Sequence, residues 1–183
     1  GPDYVDTKFH SRIVGSDSRN IDNFLVPDQE TLTYLFKRNT ADIDIGLVEG
    51  VMGLYDGLGI DKDSHSTASI AKMLGLPVIL VIDGHAASTS VAAIVKGFQV
   101  FDQEVDIAGV IINNLKSDHH FSLIKAAIEK YDRVPVLGYL PHCDEISLPS
   151  RQLGLVPDNE LPQVDEKIAK LGQLIESHVD LDK

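Results

Sequence analysis

Five apolar residues in a row, Val78-Ile79-Leu80-Val81-Ile82, follow Pro77 and stop at Asp83-Gly84. A β-branched run with no polar alternation predicts a strand covered on both faces, the habit of parallel sheets. Apolar runs at 43–48, 107–112 and 136–140 predict three more strands. Helical patterns alternate with them. Residues 28–39 have Asp28 as cap, with Leu32, Leu35 and Phe36 on one face. Residues 66–74 place Ile70, Ala71 and Leu74 inward, and Gly75 ends them. Further helices are expected at 87–101 and 118–131, and at 163–178 with Val164, Ile168, Leu171 and Ile175 on its apolar side. The alternation predicts an α/β fold, a mainly parallel sheet flanked by helices on both faces. With 183 residues and no repeat or linker-like stretch, the chain reads as a single domain, 1–183.

Sheets of this kind bind ligands beyond the carboxyl ends of their strands. Those ends read Glu49-Gly50, Asp83-Gly84, Asn113-Asn114 and Pro141-His142, so three of the four carry a carboxylate or carboxamide. Glu49 stands out. It closes the run at 43–48, and Gly50, Gly53, Gly57 and Gly59 follow. A carboxylate before a loop whose backbone can approach a ligand suits metal and phosphate chemistry; an ordinary glycine-rich turn has the same appearance. Asp83 suits orienting a water or a metal, and equally the capping of the helix at 87. Asn113 has an ordinary reading as a turn residue after a strand.

The net charge of −12 excludes a nucleic-acid surface, which needs clustered Lys and Arg. A nucleotide or acidic substrate would need Mg²⁺, a helix N-terminus or a local basic group to offset repulsion. No apolar run approaches the ~20 residues of a membrane span, and no secretory signal opens the sequence. The single cysteine, Cys143, excludes an intrachain disulfide framework and fits a reducing cytoplasm. It reads as a spectator thiol. The phosphate loop G-x-x-x-x-G-K-[ST] is absent from the sequence. The chain begins instead with Gly1-Pro2-Asp3-Tyr4-Val5-Asp6, two carboxylates three residues apart with His10 close behind; in isolation this reads as an exposed, frayed terminus.

In order along the chain stand GPDYVDTKFH, Ser18-Arg19-Asn20-Ile21-Asp22, VEGVMGLYDG, Ser66-Thr67-Ala68, GVIINN and LGYLP. This series closely resembles the cobyrinic acid a,c-diamide synthase family over roughly residues 1–156. The family's members are ATP-dependent, glutamine-using amidotransferases of corrinoid (cobalamin) biosynthesis. GPDYVD and EGVMGLYDG are specific to this family and its near relatives, while GVIINN and LGYLP are more widely shared. The resemblance implies a P-loop NTPase fold like that of dethiobiotin synthetase, here lacking its first strand and phosphate loop. It implies ATP and Mg²⁺ as cofactors. The partners it implies are a corrinoid macrocycle and ammonia from a separate glutaminase domain, which this chain does not contain. A homodimer is left open.

In that family ATP phosphorylates a peripheral carboxylate of the macrocycle, and ammonia attacks the acyl phosphate. The resemblance assigns Glu49 to Mg²⁺. It assigns Asp3 and Asp6 to metal binding or to positioning the substrate carboxylate, Asp3 being the second candidate metal ligand. Tyr4 becomes a wall of the macrocycle pocket. Asn113 becomes the adenine contact, and Arg151 a donor to substrate carboxylates. Gln152 stands where relatives commonly have His. His120 matches a family histidine but reads equally as an exposed helix start, and His85 is given no role. Without the phosphate loop and the glutaminase domain, these residues alone are expected neither to hydrolyse ATP nor to amidate. Hydrogenobyrinate or nickel-sirohydrochlorin are alternative substrates with the same chemistry. A loop-less, non-catalytic binding module is the alternative of a different class, and a dethiobiotin-synthetase-like carboxylase a weaker one.

Overall fold

A computed structural model describes residues 5–147 and 163–183 in full, and 150–151 and 154–155 for backbone alone. The chain forms two compact units, residues 1–76 and 77–183.

The first unit is helical. Helix α1 runs Asp6–Val14 and buries Phe9. Helix α2, Gln29–Asn39, is capped by Asp28, whose carboxylate accepts from Thr31 N at 2.7 Å, as its sequence predicts. Helix α3, Thr67–Leu74, starts at Ser66, whose hydroxyl accepts from Ser69 N at 3.1 Å. It ends at Gly75 in the left-handed conformation (φ 63°), which a Cβ would disfavour. A buried polar link ties the loop before α2 to α3: Asn23 Nδ2 donates to Ser69 Oγ at 2.8 Å, and Ser69 Oγ to Ser66 O at 2.7 Å.

Two expectations for this unit need correction. Residues 6–14 are a helix, where the acidic start of the chain reads as a frayed terminus. Residues 43–48 form no strand: they are irregular and exposed, with Ile45 at 85% and Leu47 at 91%. An apolar run becomes a strand only where a neighbour takes its backbone N–H and C=O groups. None of the described pairings involves these residues. Glu49 accordingly sits within a loop and not at the end of a buried strand.

The second unit is the α/β part. Strands β1 (Val78–Asp83), β2 (Ile107–Leu115) and β3 (Val136–Pro141) form a parallel sheet in that order. Parallel neighbours need crossovers, supplied by α4 (Ser90–Phe101) and α5 (Asp118–Tyr131). Register sets Leu80 beside Val110, Ile82 beside Ile112 and Asp83 beside Asn113. Leu80, Ile82, Val110 and Ile112 are buried, as are Val91 and Val95 of α4 and Ile124 and Ile128 of α5. Alternate residues of β1, Ile79 and Val81, are exposed, although the run predicts cover on both faces. After a 3-10 turn, Asp144–Ile146, short strands β4 (Ser150–Arg151) and β5 (Gly154–Leu155) pair antiparallel. Helix α6, Val164–His178, is followed by Val179, which bridges Gly138 on β3. Among the described residues no helix is long and apolar enough to cross a membrane.

Candidate functional site

In the first unit the loop that follows Glu49 is folded against the start of α3. Gly50 lies so close to this helix that a Cβ would stand 2.8 Å from Thr67 Cγ2. At Gly57 a Cβ would overlap the Ser64 carbonyl oxygen and stand 2.8 Å from Ser66 N. These glycines serve close approach of the chain to itself. Leu58 N donates to Ser64 O at 2.8 Å, and Asp56 N closes a turn on Gly53 O at 2.9 Å. Ala68 N donates to Leu54 O at 2.9 Å. With Ser66 holding Ser69 N, two of the free amides at the start of α3 are used within the loop.

Glu49 opens this loop with its side chain 56% exposed, and its Oε2 lies 2.8 Å from Nε2 of His10 on α1. Asp6, the first residue of α1, stands one helical turn before His10 on the same side of the helix. The structure therefore places Glu49 against the α1 segment that also carries Asp6. Asp3 and Tyr4 lie outside the described residues. The donor chemistry at Glu49 fits Mg²⁺, which keeps several waters and takes one or two carboxylates besides phosphate oxygens. Among the described residues no three His, Cys, Asp or Glu side chains are grouped to hold a metal by themselves.

In the second unit the carboxyl edge of the sheet is a polar cluster. Asp83 Oδ1 accepts from His85 N at 2.9 Å and from Asn114 Nδ2 at 3.2 Å. The His85 amide first, and the Asn114 amide second, hold the Asp83 carboxyl below its ordinary value. Asp83 thus secures the turn after β1. It does not cap the next helix, which begins at Ser90 with no side-chain cap. Gly84 N donates to Asn113 O at 2.9 Å, and a Cβ on Gly84 would stand 2.6 Å from Ile112 Cγ2. Asn113 Oδ1 accepts from Asn114 N at 2.9 Å, and Asn114 takes the left-handed backbone (φ 61°) that asparagine tolerates. Half-buried Asn113 retains a second lone pair on that oxygen and its amide donors, a set able to read a base edge.

His120, at the start of α5, is bonded through Nε2 to the Ala87 carbonyl. It fixes the loop after β1, a role absent from both of its sequence readings. Ala86 in the same loop has φ 53°, an uncommon conformation for alanine. Arg151 lies on β4, and its side chain is outside the description. Cys143 is a free, half-buried thiol. Sequence reasoning notes His10 behind the acidic pair but misses its partner Glu49; the four-residue spacing from Asp6 places His10 on the same side of a helix only once 6–14 is seen to be helical.

Comparison with known proteins gives two findings. Residues 17–150 match the model of an AAA domain family, one of the P-loop families. Across all of the chain, cobyrinate a,c-diamide synthases are similar: that of Limosilactobacillus reuteri (strain DSM 20016) at 64% identity, Streptococcus sanguinis (strain SK36) at 54% and Salmonella typhimurium (strain LT2) at 49%. The chain spans 40% of the length of the first two relatives and 39% of the third. With a parallel βαβ sheet and a match over most of its length, this chain belongs to that AAA domain family of P-loop proteins.

Proposed function

We propose that the protein carrying these residues is an ATP-dependent, glutamine-using amide ligase acting on the a- and c-carboxylates of cobyrinate. The single observation that carries the reading is identity of 43–64% to cobyrinate a,c-diamide synthases along the whole chain. The polar groups at Glu49 and at the Asp83–Asn113 strand ends suit the chemistry.

In this reading a substrate carboxylate oxygen bonds to the γ-phosphorus of ATP, and the bond to ADP breaks. Ammonia then bonds to the acyl carbon as phosphate leaves and a proton is lost. Such transfers depend mostly on positioning and charge neutralisation. Glu49 would hold Mg²⁺, which when bound neutralises charge on the phosphate oxygens. Asp6 and Asp3 position the substrate carboxylate or support the metal. Asn113 holds the adenine through its carboxamide, and Asp83 and His120 fix the loop beside it. Tyr4 and Arg151 contact the macrocycle.

The full-length protein is incubated with ATP, Mg²⁺, glutamine and cobyrinate, with hydrogenobyrinate and nickel-sirohydrochlorin in parallel. Mass spectrometry should find cobyrinate gaining two amides with matching ADP release. Amidation of one of the other macrocycles in preference would move the substrate assignment. Amidation of none would overturn the ligase reading.

A further inference from the structure

We propose that His10 is a positioning residue for Glu49, aiming its carboxylate at the divalent cation; this rests on the reading of Glu49 as a Mg²⁺ ligand. His10 Nε2 lies 2.8 Å from Glu49 Oε2, close enough for the imidazole to limit where that carboxylate goes. His10 therefore acts through Glu49.

The geometry gives Glu49 two anchors. Its backbone precedes Gly50, held in the close approach to Thr67. Its carboxylate is held by an imidazole on α1, a helix seated by buried Phe9. A glutamate side chain this exposed would otherwise sample many rotamers. The contact is made at Oε2 and leaves Oε1 for a hard cation. Groups that orient a ligating side chain change metal affinity by about 10- to 100-fold when removed. As an exposed pair, the contact contributes little to folding, so metal affinity and stability should respond differently.

The test uses the full-length protein with a non-hydrolysable ATP analogue and Mn²⁺ in place of Mg²⁺. Free Mn²⁺ is followed by electron paramagnetic resonance. His10→Phe keeps bulk and loses the donor, and should weaken Mn²⁺ binding ~10-fold. His10→Gln restores a donor and should recover most of that loss. The thermal midpoints of both variants should stay within about 2 °C of the parent, consistent with an exposed pair. Equal weakening in both variants, or none in either, overturns the proposal. Glu49→Gln separates the two readings. If it leaves Mn²⁺ affinity unchanged, the Glu49 assignment itself falls. If it weakens binding while His10→Phe does not, only the role of His10 falls.

Discussion

The side-chain amide of Asn114 on β2 donates to Oδ1 of Asp83 on β1 at 3.2 Å. With the His85 amide it keeps the Asp83 carboxyl ionised below its ordinary 3.8. A depressed acid pKa contributes stability above the unfolded value, and loses it as pH falls through the folded value. Asn114→Ala should raise the Asp83 titration midpoint toward 3.8 without reaching it, because the larger His85 contribution remains. Carboxyl-carbon NMR titration measures this, and an unmoved midpoint would contradict the assignment.

Asn113 lies beside Asp83 in register. If it holds the adenine, Asn113→Ala in the full-length enzyme should raise the KM for ATP about tenfold, roughly one hydrogen bond of ~1.4 kcal/mol. The kcat should change less than about twofold, the pattern of lost uniform binding. Steady-state kinetics with ATP varied would show it; an unchanged KM would assign Asn113 to the turn alone.

Asp132, just past α5, is buried with neither carboxylate oxygen hydrogen-bonded, and buried Gln99 Oε1 is also without a partner. Burial pushes the Asp132 carboxyl up, and Lys96 only partly offsets this. With a raised pKa, the folded state holds its proton to higher pH than the unfolded state. The cost is therefore absent below about 3.8 and grows as pH rises through the folded value. Asp132→Asn removes the charge and supplies donors. It should gain ~1 kcal/mol at neutral pH, about 2–4 °C in Tm, and less at pH 4. Thermal melts at the two pH values decide it.

Gly138 on β3 faces the segment after α6, where Val179 bridges it and Asp180 N donates to Leu137 O at 2.8 Å. A Cβ there would overlap the His178 carbonyl oxygen and stand 2.6 Å from Val179 Cα, both backbone. Gly138→Ala should destabilise by about 1–3 kcal/mol as the strand and the segment separate. The amide of Asp180 should lose protection in hydrogen exchange. Full protection would mean the backbone absorbs the methyl.

Tyr139 donates its hydroxyl to Asp118 at 2.5 Å and stacks on Phe121, with centroids 4.7 Å apart. Burial first, and the bond to Asp118 second, push its phenol up to about 12. Tyr139→Phe should cost ~1 kcal/mol while keeping the stack. It should also remove a phenolate component at about 12 from an ultraviolet absorbance titration; persistence of that component would contradict this environment.

The local rules were legible where the signal is local. Asp28 caps α2 and Gly75 stops α3 because a side-chain acceptor and a missing Cβ act within one turn. The runs at 78, 107 and 136 became strands of one parallel sheet, since their crossover helices are encoded between them. The pairing of Glu49 with His10 was not legible: 39 residues separate them, and the helix carrying His10 was not anticipated.

By itself the sequence determined the βαβ order, the caps and the motif series that identifies the relatives, because each depends on residue type and short spacing. Only the tertiary structure decided which apolar runs pair. The segments at 43–48, which carries Asp44 and Gly46, and 78–82 both read as strands, yet one is an exposed loop and the other a strand. A strand's hydrogen bonds belong to its neighbour as much as to itself. The same reason governs Glu49. Its chemistry is written in its side chain, while the imidazole beside it is brought from helix α1.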